Sequence, residues 1–250
     1  MRILLTGHKG FVGSRLKEVL EKDHVVYGID LVDGKDINTC SLDYEVDLVI
    51  HLAGKSGVRQ SLKTPSAYWY NNVEGSRRIF EVFRNTRIIY ASSSSAYEPE
   101  RNPYAATKLL TEFLGAKHPD SLGIRLHTVY SDTPRKDMFF DKLLNGGLEY
   151  ATKHYRDFIH LEDVCSAFLH LIEDTTLKGV VDVGTGTSVY IPSIAPNLKI
   201  KEYTPHERTH TQADIKFLTS LGFKPKYTVE NFLTNKGLDV KLQYITGENP

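Results

Sequence analysis

The chain is poor in cysteine, in net charge and in long apolar runs, and each shortage excludes a class of protein. Its two cysteines, Cys40 and Cys165, stand outside any C-x-x-C pair in 250 residues, too few for a disulfide framework. Its 31 Lys and Arg offset 31 Asp and Glu, so no basic excess points to nucleic acid as the main partner. No apolar stretch approaches the roughly 18 residues that span a bilayer, and the run before Thr6 is too short for a signal-peptide core. The expectation is a cytoplasmic protein with no membrane and no nucleic-acid partner. No repeat, linker or long block of like charge interrupts the chain. What is present is an ordinary globular composition, 40 % hydrophobic and 25 % charged. A chain of this length can bury about 70–75 % of its unfolded surface, as one large domain or one domain with a smaller lobe.

Short β-rich runs alternate with amphipathic helical stretches. Arg2–Thr6, Val25–Asp30, Asp47–Ala53, Arg87–Ser92 and Leu122–Val129 read as strands, with helical patterns at Phe11–Glu21, Ser66–Phe83 and Tyr104–Lys117. Further helices are expected over Asp137–Asn145, Glu162–Glu173 and Ala213–Leu221, and a buried strand over Val180–Val183. Strand, helix and strand in succession imply right-handed crossovers and an α/β fold with a doubly wound parallel sheet. Ligands of such a sheet bind beyond the carboxyl ends of its strands. The unusual residues cluster there, at Gly7–Gly13, Asp30, His51–Gly54, Ala91–Ser95 and His127–Ser131.

Gly7, Gly10 and Gly13 form G-x-x-G-x-x-G between the first strand and the first helix, the latter opening with Phe11 and Val12. Glycines permit the tight turn and let backbone N–H groups approach a pyrophosphate at the positive helix end. Asp30, 17 residues after Gly13, ends the second strand, where a carboxylate accepts hydrogen bonds from an adenosine ribose. It repels a 2′-phosphate, and Leu31-Val32 supplies no cation, which argues for NAD over NADP. Tyr104 and Lys108 stand four apart in a helical stretch, on one face, so the ammonium favours the phenolate and makes Tyr104 a plausible general base. Ser92, Ser93, Ser94 and Ser95 end the preceding strand at the same rim, where a hydroxyl can bind the reacting oxygen.

Together these residues resemble the extended short-chain dehydrogenase/reductase superfamily, in particular its nucleotide-sugar epimerases and dehydratases. The likeness extends to His51–Pro65, Asn72–Gly75, Tyr90–Tyr97, Arg156–His160, Ala213-Asp214 and Leu221–Pro225. Gly57–Leu62, and Thr128–Tyr130 followed by Pro134–Met138, resemble UDP-glucuronate 4-epimerases most, although Ser131 and Asp132 replace the expected Gly and Pro. The resemblance implies a Rossmann-type NAD-binding core over 1–127, with 157–183 returning to it, and a small C-terminal α/β sugar-nucleotide lobe over 128–156 and 184–250. It implies Tyr104 as base, Lys108 on the nicotinamide ribose, and Ser93 on the sugar 4-oxygen. Asp36, Ile37, Leu52, Ala53, Gly54, Asn72, Ala91 and Ser92 would line NAD. Arg156 and Arg208 would clamp the diphosphate of a UDP-sugar, Ser94, Thr128 and Arg135 would hold the sugar carboxylate, and Arg59 would add a further substrate contact. The implied reaction is 4-epimerisation through a transient 4-keto sugar. UDP-glucose/galactose 4-epimerisation, UDP-glucuronate decarboxylation and an NAD-binding scaffold without catalysis stand as alternatives. The resemblance also implies a homodimer through helices Ser66–Phe83 and Tyr104–Lys117.

Two departures bear on the site. Only eleven positions separate Ser93 from Tyr104, fewer than relatives carry, and the chain is also shortened before Arg156. His206-Glu-Arg-Thr-His210 matches H-E-x-x-H, with Glu230 as a possible third ligand. Thr204, Thr209 and Thr211 oppose the helix that a zinc site would require, so no metal is expected. Arg77-Arg78 reads as a solvated helix face, and the remaining histidines as packed or hydrogen-bonded.

Overall fold

The computed structural model describes residues 1–246, and its contacts divide the chain into two units. The first comprises Met1–Arg125 and Leu171–Val181. In it β1 (Arg2–Thr6), β2 (Val25–Ile29), β3 (Leu48–His51), β4 (Arg87–Ser93), β5 (Ser121–Leu126) and β9 (Gly179–Val183) form a sheet of order β2-β1-β3-β4-β5-β9. The pairs β2–β1, β1–β3 and β3–β4 are parallel. Ile3, Leu4, Leu5, Val49, Ile50, Ile88 and Ile89 are fully buried, the continuous apolar character of strands covered on both faces. The crossover helices are α1 (Phe11–Leu20), α2 (Val58–Lys63), α3 (Pro65–Tyr68), α4 (Gly75–Val82) and α5 (Pro103–Gly115).

One helix was expected over Ser66–Phe83. A π-helical turn, Trp69–Glu74, instead separates α3 from α4. Such turns recur at functional sites because they release backbone groups from the regular ladder. Here the carbonyl of Asn72 accepts from Thr111 Oγ1 of α5 at 3.2 Å. Arg77 and Arg78 do not share one solvated role. Arg77 pairs with Glu74 and Glu81, whereas Arg78 donates to the carbonyls of Ile37 and Cys40 and pins the loop after β2.

The second unit comprises Leu126–His170 and the residues from Asp182 on. Its strands are β6 (Thr128–Tyr130), β7 (Tyr150–Thr152), β8 (Tyr155–His160), β10 (Thr187–Tyr190), β11 (Lys199–Lys201) and β12 (Tyr244–Thr246). They form a four-stranded sheet of order β12-β10-β8-β6 and a β11-β7 pair. Its helices are α6 (Phe139–Leu144), most of α7 (Leu161–Glu173), α8 (Ile191–Ile194), α9 (Lys216–Ser220) and α10 (Val229–Asn235). At the centre of its core Tyr130 packs edge-on against Phe158 and Phe232, and Phe140 edge-on against Phe232.

Two further expectations change. Leu122–Val129 is not one strand: the chain leaves the first sheet after Leu126 and enters the second at Thr128, so β8 pairs with β6 and not with the first sheet. Of the span 157–183 assigned to the first unit, only Leu171–Val181 clusters there. The helix expected over Ala213–Leu221 is confined to α9. Asp157 Oδ2 takes the Ala213 N–H at 3.0 Å and Asp182 Oδ2 takes that of Asp214 at 3.0 Å, holding these residues out of a helix.

Candidate active site

The glycine loop is shaped by contacts that admit no side chain. Gly7 adopts φ +74°, and a Cβ there would lie 2.7 Å from the Ala53 nitrogen. A Cβ on Gly13 would lie 2.1 Å from the Gly7 oxygen, so α1 packs on the loop at a distance only glycine allows. Gly10 begins α1 with no side-chain cap, and the first turn, with Phe11 and Val12, carries no acidic residue. Its positive end therefore suits an anion such as a pyrophosphate. Asp30 is buried and accepts from Lys9 N and Val32 N, both at 2.9 Å, which ties the loop to the end of β2. Each of its oxygens retains a second lone pair for a ribose hydroxyl. Leu52 and Ala53 donate backbone N–H groups to Thr6, which fixes the Leu52–Gly54 turn beyond β3. Asp36 accepts from Asn38 N and Tyr70 Oη. Ile37 lies in the core against Gly75, so it offers a ligand its backbone and not its side chain.

Helix α5, which carries Tyr104 and Lys108, starts where Asn102 accepts from Ala105 N at 2.8 Å and Pro103 fills the first position. The short connection after Ser93 closes through two 3₁₀ turns, Ser94–Tyr97 and Pro99–Arg101, stapled by an Arg101–Glu98 ion pair. Tyr104 and Lys108 then project from successive turns. Lys108 is 8 % exposed, and its Nζ donates to the Ala91 carbonyl of β4 at 2.8 Å. Burial lowers its pKa to about 8, opposed by Glu112 one turn further on. His51 bridges Thr6 (2.7 Å) and Ser76 (2.9 Å). Burial, helped by the Lys108 charge, lowers its pKa to about 3, so the imidazole is neutral. The Tyr104 ring meets Tyr68 edge-on, with centroids 6.1 Å apart, and the Tyr68 hydroxyl reaches the carbonyls of Ser56 (2.7 Å) and Gly57 (2.9 Å).

Ser93 ends β4 with its Oγ accepting from Ser95 N at 3.2 Å, which leaves the hydroxyl proton to be donated to a ligand. Ser94 beside it is buried. Ser92 faces the other way, donating to Glu112 Oε1 at 2.5 Å, so its hydroxyl serves the scaffold. Asn72 accepts from Lys55 N (2.7 Å) and donates to Lys55 O and Thr107 Oγ1 (3.0 Å each), so its amide forms the wall of the site. Gly54 packs so tightly against it that a Cβ would lie 2.9 Å from Asn72 Oδ1. Arg59 is exposed on α2.

In the second unit Thr128 pairs in register with Phe158, on the strand that carries Arg156. Arg156 forms an ion pair with Glu207 at 3.1 Å and donates to the Tyr155 and Thr209 carbonyls. Arg208 is half-buried in the same loop, and Arg135 is exposed in a turn before α6. The H-E-x-x-H segment is not helical. Glu207 is paired with Arg156, and His210 contacts Ser188 Oγ at 2.9 Å; among the described residues no three His, Cys, Asp or Glu are grouped as metal ligands.

The first unit thus brings together the glycine loop, Asp30, the β3 turn, Ser93, Tyr104 and Lys108. Sequence reasoning missed Glu112, which receives two bonds from Arg125 (2.8 and 2.6 Å) besides that from Ser92. Its place four residues after Lys108 was the available signal. It also missed Asp157, which is fully buried and accepts from Thr185, Gly186 and Ala213. That residue lies hidden in the same motif as Arg156.

The model of the NAD dependent epimerase/dehydratase family matches residues 3–184. Protein CapI of Staphylococcus aureus is 25 % identical over 332 aligned positions, which take in 98 % of this chain and 99 % of that protein. The excess of aligned positions over 250 residues means that the alignment opens gaps in this chain. UDP-glucuronate 4-epimerase of Thermodesulfobacterium geofontis is 27 % identical, across 69 % of this chain and 62 % of that protein. The crystal structure of UDP-glucuronic acid 4-epimerase from Bacillus cereus, with UDP-glucuronic acid and NAD, superposes with a TM-score of 0.82. It is 25 % identical and matches over 94 % of this chain and 98 % of that one.

Proposed function

Because the chain belongs to the NAD dependent epimerase/dehydratase family, we propose that it is a 4-epimerase that interconverts UDP-glucuronate and UDP-galacturonate. The observation that carries the reading is the buried Lys108 ammonium, one turn from Tyr104 on a helix whose start is fixed by Asn102. Below about pH 8 that ammonium is charged and favours the Tyr104 phenolate, the form that accepts a proton. Tyr104 takes the proton of the sugar 4-hydroxyl, while the Ser93 hydroxyl donates to the same oxygen and holds it in line. The chemistry supplied by bound NAD is reversible hydride acceptance at C4, so oxidation and reduction cancel over one turnover. Gly7, Gly10, Gly13 and the first turn of α1 would cradle its pyrophosphate, and Asp30 its adenosine ribose. After reprotonation by Tyr104 the sugar leaves with C4 inverted.

In the second unit, Arg156 and Arg208 are read as diphosphate ligands, and Arg156 already binds an anion in Glu207. Thr128 and Arg135 there are read as carboxylate ligands. A 4-keto glucuronate is a β-keto acid that readily loses CO₂, and a fixed carboxylate disfavours that loss. Exposed Trp69, Val82 and Phe113 on the helices of the first unit support a homodimer. Among the described residues no helix is long and apolar enough to cross a membrane.

The test is incubation with UDP-glucuronate, UDP-galacturonate, UDP-glucose and UDP-galactose, followed by product analysis. The expected result is interconversion of the first two alone. Exclusive turnover of the neutral sugars, or a decarboxylated product, would replace this reading.

A further inference from the structure

The rim that receives the adenosine end of the cofactor carries more positive charge than its sequence neighbours Leu31-Val32 suggest. Lys9 and His8 belong to the glycine loop, and Lys35 follows the 3₁₀ turn Leu31–Asp33. Lys9 touches two carboxylates at once. Its backbone N–H donates to Asp30 at 2.9 Å, and its ammonium pairs with Asp33. His8 Nε2 lies 3.2 Å from the other Asp33 oxygen. The arrangement is built into the sheet, because a Cβ on Gly28 of β2 would lie 2.7 Å from His8 Nδ1. Glycine at that position makes the room in which the imidazole reaches Asp33. The groups facing Asp33 are Lys9, His8 and Lys35. The Lys9 hydrogen bond, with the charges of all three, holds its carboxyl below the usual range, so it is anionic wherever an enzyme works. A half-exposed pair of this kind contributes little to stability, so its consequence lies in the local charge.

A ribose 2′-hydroxyl needs only an acceptor, which Asp30 supplies. A 2′-phosphate needs a cation, and Lys9 is the cation whose backbone is anchored on Asp30. We propose that Asp33 is a specificity-determining residue: by engaging Lys9 and His8 it withholds them from a 2′-phosphate, so that two carboxylates and not one select NAD over NADP. This rests on the reading of the first unit as an NAD site.

The experiment is titration of NADH and NADPH fluorescence with wild-type protein, Asp33→Asn, and Asp33→Asn combined with Lys9→Met. Asp33→Asn is expected to tighten NADPH about tenfold or more, with NADH affinity changed by less than about threefold, and the gain should shrink as salt rises. Adding Lys9→Met should return the NADPH/NADH ratio to near the wild-type value. An unchanged ratio in folded Asp33→Asn protein, or a gain that survives Lys9→Met, would overturn the inference while leaving NAD binding intact. Wild-type protein that binds neither nucleotide would remove the NAD reading and this inference together.

Discussion

Three buried polar groups of the first unit and two of the second serve opposite ends. In the first, Lys108, Ser93 and Asp30 are buried with part of their bonding capacity unused by the fold, and these are the groups proposed to face a ligand. In the second, Asp157 and Asp163 are buried with their carboxylates given over to backbone N–H groups. Asp157 receives those of Thr185, Gly186 and Ala213, and Asp163 those of Lys226 and Tyr227. The two carboxylates hold the turn after β9 and the loops around α9, which makes the second unit a scaffold for arginines on loops and strand ends. A polar residue's burial alone therefore does not say whether it works or holds; the number of its bonds already taken by the fold does.

That contrast can be broken most severely at Tyr104. Tyr104→Phe removes the proposed proton acceptor and keeps the ring that meets Tyr68, so kcat should fall by about 10²–10⁴-fold while the melting temperature stays near wild type. Steady-state rates with calorimetry check both halves, and comparable activity in the variant would move the base elsewhere. Asp157→Ala should do the reverse. Loss of a partner for several buried N–H donors, at about 1–3 kcal/mol each, predicts destabilisation of about 3–5 kcal/mol in denaturant titrations. A stable but inactive Asp157→Ala protein would place Asp157 in the chemistry and erase the distinction.

Much of the first unit was legible because its residue types are dictated by local necessity. Gly7 and Gly13 stand where a Cβ has no space, and Tyr104 and Lys108 hold a helical spacing that any helix reveals. The π turn at Asn72 was not legible, since its cause is a tertiary bond from Thr111 and an amide locked on Lys55. Nor was the break at His127, where one apolar run serves two sheets. Ala213–Leu221 carries a helical pattern that the Asp157 and Asp182 carboxylates override from distant strands. Tertiary hydrogen bonds leave no periodicity for a local pattern to detect.

The smallest expected effect concerns acid, and it sharpens the comparison within the first unit. His51 titrates near 6.5 in the unfolded chain but at about 3 in the folded one, so the unfolded state binds the extra proton between these values. Its stabilising contribution is complete above about pH 6.5 and is lost as pH falls towards 3, by about 1.4 kcal/mol for each unit. Melting curves from pH 7 to 4 should show this decline, and His51→Gln should flatten it. A decline that persists unchanged in His51→Gln would assign the acid sensitivity to other groups.

If Tyr104, Lys108 and Ser93 invert C4 of a UDP-uronate through a transient ketone, the C4 hydrogen does not exchange with solvent. Turnover of UDP-glucuronate in D₂O, with the product examined by proton NMR, tests it most directly. The expected product is UDP-galacturonate that retains a full proton signal at C4, with no product from Tyr104→Phe. Deuterium at C4 of the product, or epimerisation undiminished in Tyr104→Phe, would contradict it.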